Sequence, residues 1–436
     1  MNSLLADVRA VYLKEGPAVL LLKILRTVFE PLIGVERARI CQYELARRLS
    51  YREWSPPEIQ LQTNSTTIQS EDGHVFFGFY DHTPFCSRNE RVLFNKTSAT
   101  IGPTTADDTL ELCYYNLDSK ETITFAETQT WNWQKGCRLH WHPAKEDIVV
   151  YNTIVDDSYG SVCLDVRTGE IVEQYHHPIY DTDPNGTYAL SVNFSRLERL
   201  HYDYGYTNYP DKTSDDPTPD DDGIFRLNLE TGDAELLVSY AELAERSDVP
   251  NGVHNYVMNL MISPNGELVS VLHRYHHQGE RNTELLIVST ETGSIETVQQ
   301  DGEPSHPFWR SETELLSTVN FWGTERQTKY LLYDVELGTR REIEHAELNV
   351  DSHPHISPIN SNLFVGDTYP DYCGDRHLYL FDIETMDYRV LGSIYGPVLN
   401  ETKRDLHPRW DRNGKYICID VPTSVNSQSI SIIEPY

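Results

Sequence analysis

The sequence predicts an all-β protein, a seven-bladed β-propeller preceded by an N-terminal α-helical segment. Two observations predict the propeller: from about residue 70 onward the chain repeats itself every 45 to 70 residues or so, and every repeat contains the same two recognisable pieces. Such periods are typical of propellers and solenoids, in which a unit too small to bury its own face stacks on its neighbours. We therefore place a helical segment at 1–50 and a propeller at 70–436.

The two pieces of the repeat are both strand patterns. The first is an apolar or aromatic residue, a polar turn and an alternating strand, with copies at Pro84–Asn95, Trp141–Tyr151, Ile262–Leu272, Phe308–Ser317, Ile356–Gly366 and Trp410–Asp420 and a weaker one at Asn185–Phe194. The second is an outer strand closed by a tight turn, at Leu112–Asp118, Cys163–Gly169, Phe225–Gly232, Leu286–Gly293, Tyr330–Gly338, Leu378–Thr385 and Ile430–Glu434. Period-two alternation closed by Gly, Asn or Asp indicates hairpins, so seven copies predict seven blades.

The N-terminal segment carries an apolar stretch, Gly16–Gly34, with helical periodicity. Lys23, Arg26 and Glu30 interrupt it, which argues against both a signal peptide and a membrane span of roughly 20 apolar residues. Two placements of this helix stay open. It can lie on a membrane surface with Lys23 and Arg26 near the headgroups, or it can pack against the side of the propeller.

Composition limits the partners and the compartment. The chain has 67 acidic and 36 basic residues and a net charge of −31, and only ten of the basic residues are Lys. Such a surface stays soluble at high ionic strength, which favours a salt-loving source over an ordinary acidic cytosolic protein. It also repels phosphate backbones, which excludes a nucleic-acid partner. Seven scattered cysteines without CxxC spacing are typical of buried thiols in a reducing compartment, so we expect a cytoplasmic protein.

Histidine is the residue type that suggests chemistry. Several histidines recur just before the central aromatic residue of the repeat: His82, His140, His142, His254, His306, His353, His355 and His407. Equivalent positions of different blades converge on the propeller axis. Imidazoles gathered there can bind a divalent metal or transfer protons. The alternative is structural, with each ring bonding a neighbouring blade.

Arginine and tyrosine accompany these histidines. Arg138 lies two residues before His140, Arg409 follows His407, and Tyr369 lies where blade six closes. Guanidinium groups match carboxylates and aromatic faces match sugar rings, so the pattern favours an acidic sugar as ligand. The alternative is a network of ion pairs between blades.

Two insertions break the rhythm, Tyr202–Asp222 and Ala241–Val253. Long loops in a propeller usually lie at a rim, so we expect these segments to shape the mouth of the channel. The sequence contains no Gly-rich phosphate loop, no nucleophile elbow and no HExxH motif.

The sequence resembles TolB-like propeller proteins over about 70–436, and among relatives of known chemistry it is most similar to the oligogalacturonate lyases. The resemblance rests on Gly78–Phe85, Trp133–Gly136, Asp221–Phe225, Ser352–His353, Gly366–Asp371 and Asp405–Trp410. Oligogalacturonate lyases hold a divalent metal, typically manganese, with several His and a Gln at the channel mouth. They cleave uronic-acid glycans by β-elimination.

The resemblance implies roles for residues at the matching positions. Metal-ligand candidates are His306, His353, His355 and His407. His140 or His254 would be the base, and Arg138 or Arg409 would neutralise the uronate, with Tyr369 at the same site. The family's Gln ligand has no clear counterpart, because Gln134 lies in a different blade.

Three functions remain open. The first is assembly or modification of a surface glycan, such as an S-layer N-glycan or an exopolysaccharide that contains a hexuronic acid; relatives encoded beside glycosyltransferases, together with the acidic haloarchaeal-type composition, imply it. Its partners would be those glycosyltransferases and a lipid-linked oligosaccharide at the inner face of the membrane. The second is a metal-dependent lyase for uronate oligosaccharides. The third is a protein-binding propeller without chemistry.

Overall fold

The protein forms seven antiparallel sheets arranged as the blades of a propeller, which confirms the predicted fold class. The computed structural model describes residues 21–51, 59–321, 327–396, 402, 404–424 and 427–436. Residues 16–20 of the predicted N-terminal helix lie outside the described residues. In five of the sheets, strands that neighbour each other in the sheet also follow each other in sequence, as is expected of repeats built from hairpins. The other two sheets each add one N-terminal strand to such a series.

The strands are numbered in chain order, and each blade runs from its innermost strand outward. Blade 1 contains β3 (His74–Phe76), β4 (Arg91–Thr97), β5 (Leu110–Asn116) and β6 (Thr122–Thr128), and blade 2 contains β7 (His140–Trp141), β8 (Ile148–Val155), β9 (Ser158–Asp165) and β10 (Glu170–Tyr175). Blade 3 contains β11 (Asp181–Thr182), β12 (Tyr188–Val192), β13 (Gly223–Asn228) and β14 (Ala234–Ser239). Blade 4 contains β15 (Asn255–Ile262), β16 (Leu268–His277), β17 (Glu280–Ser289) and β18 (Ile295–Gln299). Blade 5 contains β19 (Glu303–Trp309), β20 (Glu314–Phe321), β21 (Gln327–Asp334) and β22 (Thr339–Ile343). Blade 6 contains β23 (His355–Ser357), β24 (Asn360–Asp367), β25 (Asp375–Asp382) and β26 (Tyr388–Tyr395). Blade 7 contains β27 (Arg409–Trp410), β28 (Ile417–Ser424) and β29 (Ser427–Ile433).

Two N-terminal strands complete the last two blades. β2 (Ser65–Ile68) pairs antiparallel with β29 as the outermost strand of blade 7, and Ile68 lies opposite Ile430. β1 (Ile59–Leu61) pairs with β26 at the outer edge of blade 6. The sheets therefore include residues ahead of position 70, where the sequence places the start of the propeller. β2 joins the two ends of the chain and closes the ring.

The repeated aromatic residue holds neighbouring blades together. The indole N–H of Trp141 in blade 2 donates to the carbonyl of Pro84 in blade 1 at 2.8 Å, and that of Trp309 in blade 5 donates to Met261 of blade 4 at 2.8 Å. The apolar faces of the blades fill the space between these bonds, mainly with Val, Leu and Ile. A buried indole needs a partner for its N–H, and the carbonyl of the neighbouring blade provides it for Trp141 and Trp309.

Four helices are described: α1 at residues 21–33, α2 (Val35–Tyr51), α3 (Phe194–Leu200) and α4 (Tyr240–Arg246). α2 packs on blade 6, where Arg47 forms a buried ion pair with Asp375 and lies 4.2 Å from the ring centroid of Tyr395. Leu22 of α1 packs against Ala46 of α2. Within the described residues, no helix is long and apolar enough to cross a membrane.

The cysteines give a first prediction. Six of the seven are buried, and only Cys41 on α2 is exposed. Burial also raises the pKa of Cys137 and Cys163 to about 12, so these thiols stay protonated and unreactive. A thiol reagent should therefore modify one group per native chain and seven after denaturation. Cys41→Ser should abolish the native reaction; several reactive thiols in the native chain would contradict the packing described here.

Candidate metal centre

In four blades, a residue with a left-handed backbone conformation (positive φ) lies in the innermost strand or just before it. Arg138, Asn259, His306 and His407 have φ values of 59°, 51°, 45° and 44°. The strand register shifts around Asn259 and His306, as it does at a β-bulge. Bulges re-aim side chains and are frequent next to active sites, while non-glycine residues with positive φ are uncommon. The repeat thus places strained positions of four blades around the channel.

Three of the predicted histidines meet near the axis. The ring centroid of His353 lies 4.1 Å from that of His306 and 4.4 Å from that of His407, although the three come from blades 5, 6 and 7. The rings of Tyr80 and Tyr369 lie 5.4 and 5.7 Å from His353. The structure therefore brings together three of the four ligand candidates and the predicted Tyr369.

Carboxylates orient two of these imidazoles. Nδ1 of His353 lies 2.9 Å from Asp367, and Nδ1 of His306 lies 3.0 Å from Asp351. Burial lowers the pKa of His353, but the carboxylates of Asp367, Asp405 and Asp351 together more than offset this, so the net pKa is raised. Burial and then the neighbouring His353 lower the pKa of His306. A carboxylate on one ring nitrogen leaves the other directed at a metal or a substrate, as around many metal sites.

The donor set beside His353 fits a divalent cation. Ligand atoms of His353, Asp405 and His407 lie within 4.8 Å of one another. Two of these residues carry buried polar atoms without a hydrogen-bond partner among the described residues, Nε2 of His407 and Oδ2 of Asp405. Leaving such atoms unpaired is costly, and a metal ion would satisfy both. Imidazole with carboxylate suits manganese and other first-row metals.

The opposite wall of the channel carries two basic side chains, Lys135 and Arg274. Nζ of Lys135, which is only 2% exposed, donates to Asn259 at 3.1 Å and lies 3.4 Å from the ring centroid of Phe79. Phe79 in turn packs on His407, with ring centroids 5.1 Å apart. Burial lowers the pKa of Lys135 well below its usual value. Arg274, 4% exposed, stands nearby and donates to the Met258 sulfur at 3.0 Å.

Part of the Tyr202–Asp222 insertion covers this end of the channel. Tyr204 donates to Gln134 at 3.3 Å, and the backbone N–H of Trp133 donates to Asp203 at 2.9 Å. Tyr202 reaches across to Thr402, between blades 6 and 7, with 3.3 Å between the two hydroxyl oxygens. These contacts place residues 202–204 of the insertion beside the end of the channel that holds the histidines.

Comparison with known proteins finds the same fold in solved structures. No protein-family model and no curated protein matches the chain. Among solved structures, an oligogalacturonate lyase in complex with manganese superimposes with a TM-score of 0.62 at 14% identity, covering 87% of this chain and 96% of the other. Oligogalacturonate lyase from Vibrio parahaemolyticus gives 0.57 at 13% identity, covering 87% and 98%. Both enzymes share the fold of this chain. At this identity, the likeness shows the propeller architecture alone.

The remaining ligand candidate, His355, lies farther along the channel. Its ring packs 4.4 Å from Phe308 and lines a cavity of about 420 Å³ at the other end, together with His82 and His140. His140 has both ring nitrogens engaged, Nδ1 with the Arg138 carbonyl at 2.8 Å and Nε2 with Thr182 at 2.9 Å. Burial lowers the pKa of both His140 and His355 to about 3. The structure does not bring either to the metal centre.

The other predicted catalytic residues also lie elsewhere. Arg138 is bound to Asp81 at 2.8 Å and to the Tyr180 carbonyl, and Arg409 is bound to Asp420 at 3.0 Å. With 3% and 0% exposure, these guanidinium groups hold blades together instead of meeting a uronate. His254, partly exposed, contacts Arg199 at 3.3 Å outside the metal centre.

The cavity at the other end gives a pH prediction. Burial raises the pKa of Asp181 to about 7, well above its usual value near 3.8. Because the pKa of this carboxyl group is higher in the folded than in the unfolded protein, the neutral group stabilises the folded state at pH values below the unfolded pKa. This stabilisation is lost as the pH rises from about 4 to 7, since the unfolded state ionises first. Asp181→Asn should therefore stabilise the protein above pH 7 by more than about 1 kcal/mol relative to wild type and leave it unchanged at pH 4. Equal melting temperatures at pH 8 would contradict this.

Asp405, Lys135 and Tyr204 were not among the site residues predicted from the sequence. A usable signal existed for two of them, because Asp405 lies two residues before His407 and Lys135 lies in the Trp133–Gly136 motif. Tyr204 comes from an insertion, and nothing in its local sequence places it at the axis.

Proposed function

We propose that the chain handles a glycan containing a hexuronic acid, and that it does so as a metal-dependent lyase. One observation carries this proposal: His353, Asp405 and His407 present two unpaired buried ligand atoms at the end of a propeller channel. The shared fold with an oligogalacturonate lyase in complex with manganese supports the choice of reaction.

The two walls of the channel suit a uronate. His353, Asp405 and His407 would hold manganese, which when bound supplies a Lewis acid that draws charge from the substrate carboxylate and acidifies the adjacent C5 proton. Lys135 and Arg274 lie across the channel from the metal centre, and because burial lowers the pKa of Lys135 well below its usual value, the guanidinium of Arg274 supplies the positive charge there. This cation stabilises the negative charge that develops on the carboxylate as the proton leaves.

The chain also offers a base and an acid. His306 directs Nδ1 at Asp351, so its Nε2 carries the lone pair and removes the C5 proton. Tyr204 would release its hydrogen bond to Gln134 and donate its hydroxyl proton to the departing O4 oxygen, and the proton taken up by His306 would then restore the Tyr204 hydroxyl. The C4–O4 bond breaks as the C4–C5 double bond forms. Lysis in this way consumes no water and needs no second reactant.

The lyase is tested by ultraviolet absorbance of its unsaturated product. Oligogalacturonates and other uronate oligomers are incubated with the chain after chelation, with and without added manganese. We expect an absorbance increase that depends on manganese and is lost in His407→Ala. No increase on any uronate oligomer, with a folded and metal-loaded chain, would rule the lyase out.

Metal binding is predicted separately. Manganese should raise the melting temperature of the wild type, because a ligand at 100 times its Kd stabilises the folded state by about 2.7 kcal/mol. Asp405→Asn should reduce manganese affinity at least about tenfold, and His355→Ala should leave it unchanged, because His355 lies near the other end of the channel. An equal loss in both variants would place the metal elsewhere.

A second candidate function is assembly or modification of a surface glycan. The observation that favours it is the helical pair at blade 6, whose exposed apolar side chains suit a site that works on lipid-linked saccharides. This function is tested by deleting the gene and measuring the mass of the surface glycan by mass spectrometry. A truncated or unmodified glycan supports assembly, whereas an unchanged glycan together with lyase activity supports the lyase alone.

A further inference from the structure

Helix α1 exposes an apolar stripe to solvent. Leu21, Ile24, Val28 and Leu32 are 56%, 47%, 59% and 75% exposed. Their spacing of three and four residues places them on one face of the helix, and Phe29, which is 47% exposed, widens that face. Single exposed apolar residues are ordinary, but a continuous stripe of large ones marks an interaction surface.

The polarity of α1 is the reverse of that of a helix in a soluble protein. Leu22, on another side of the helix, is 4% exposed and packs on Ala46 of α2 and Cys373 of blade 6. The charged residues Lys23, Arg26 and Glu30 lie opposite the stripe and are half-buried. A surface helix normally turns its apolar face to the core and its charges to water. The exposed stripe therefore suits contact with another apolar surface.

Local charge identifies the kind of surface that fits. Residues 21–51 contain six basic and three acidic residues, in a chain that otherwise carries a large acidic excess. Arg37 and Arg48 of this segment extend the basic charge along α2. A basic segment with an adjoining apolar helical stripe is complementary to an anionic lipid surface, where acyl chains take the stripe and headgroups take the cations. A second copy of this acidic chain offers no comparable charge match.

The helices stand at the end of blade 6 that faces the metal centre. Arg47 of α2 pairs with Asp375 at the start of β25. The same edge of the blade carries Asp367 at the end of β24, which binds His353. Arg376, next to Asp375, also lies 3.5 Å from Asp405. A surface bound by α1 would thus lie on the side where the channel opens to the histidines.

We infer that α1 is an interfacial helix that docks the protein on an anionic membrane surface. Its apolar stripe enters the boundary between headgroups and acyl chains, and the exposed Arg37 and Arg48 of α2 lie at the level of the headgroups. This inference is independent of the proposed lyase activity, because it rests on the exposure and charge of the N-terminal helices.

Vesicle flotation of the full-length chain tests the inference. Vesicles of phosphatidylcholine with one-third phosphatidylglycerol are compared with vesicles of phosphatidylcholine alone, at 0.15 M and 1 M salt. We expect the wild type to float with the anionic vesicles and to float less with neutral ones. Because the Debye length falls from about 8 to 3 Å between these salt concentrations, binding should weaken at 1 M but persist through the apolar stripe.

A matched pair of variants isolates the stripe. Val28→Asp with Leu32→Asp should reduce the vesicle-bound fraction about tenfold or more, because charge replaces two inserted apolar side chains. Ile171→Asp with Val172→Asp, on the outer strand of blade 2, replaces residues that are 54% and 47% exposed with the same added charge and should leave binding unchanged. Both variants are checked for wild-type melting temperature.

Three outcomes would overturn the inference. Absence of wild-type binding at either salt concentration would mean that another part of the chain, such as residues 1–20, covers the stripe. A dimer in light scattering that becomes a monomer in Val28→Asp with Leu32→Asp would assign the stripe to a second copy. Equal vesicle binding by both double variants would place the lipid contact elsewhere.

Discussion

Replacing Arg409 by methionine should lower the free energy of unfolding by about 3–5 kcal/mol, one of the two largest effects that we expect. The guanidinium group is 0% exposed and donates to Asp420 at 3.0 Å and to the carbonyls of Gly78 and Phe79 at 2.9 and 3.2 Å. Asp420 in turn accepts the backbone N–H groups of Phe77 and Gly78. This network fastens blade 7 to blade 1, and the substitution leaves a buried carboxylate without its cation.

Urea unfolding of three variants measures this effect. Lys145→Met is the control, because its ion pair with Glu173 at 2.7 Å is well exposed and worth about 0–1 kcal/mol. Arg409→Met with Asp420→Asn should recover part of the loss, since the remaining amide is neutral. If Arg409→Met unfolds like wild type but fails to act on uronates, the arginine contacts substrate and the structural role is wrong.

His306→Ala and His353→Ala should both remove activity, but through different steps. His306→Ala should reduce kcat by about 10²–10⁴-fold with manganese still bound, because it removes the proposed base. His353→Ala should lose manganese, because its ring lies in the group with Asp405 and His407 and is oriented by Asp367. Turnover and bound manganese per chain, measured on the same samples, separate the two roles.

A matched control comes from the same blade. His355→Ala removes a buried imidazole two residues beyond His353, on the side of the cavity at the other channel end. It should cost some stability while leaving both turnover and manganese content unchanged. If His306→Ala loses manganese as His353→Ala does, then His306 is a fourth ligand and the base must be sought elsewhere.

The blades could be predicted because the signals that define them are local. Alternation of apolar residues and a turn at fixed spacing are properties of a dozen consecutive residues, and even the weak copy at Asn185–Phe194 contains β12. β1 and β2 escaped prediction because each is a single strand that completes a distant blade. Their pairing with β26 and β29 depends on ring closure, which no local pattern encodes.

The site was predictable to the extent that the repeat fixes it. His306, His353 and His407 hold equivalent positions in consecutive blades, and the structure brings them together. His355 shares the face of His353, but two residues of strand are about 6–7 Å along the channel, which separates the two rings. His254 fails for another reason. In blade 4 the residue with positive φ is Asn259 in β15, and His254 lies five residues before it, ahead of the strand.

The pairing of β2 with β29 has a consequence for biosynthesis. β2 is made early, and its partner β29 lies some 360 residues later in the chain, so the strand stays unpaired while those residues are added. At 5–20 residues per second this takes on the order of tens of seconds. During that interval β2 has an open hydrogen-bonding edge that can pair with another nascent chain. Until β29 has been made, closure of the ring therefore competes kinetically with aggregation.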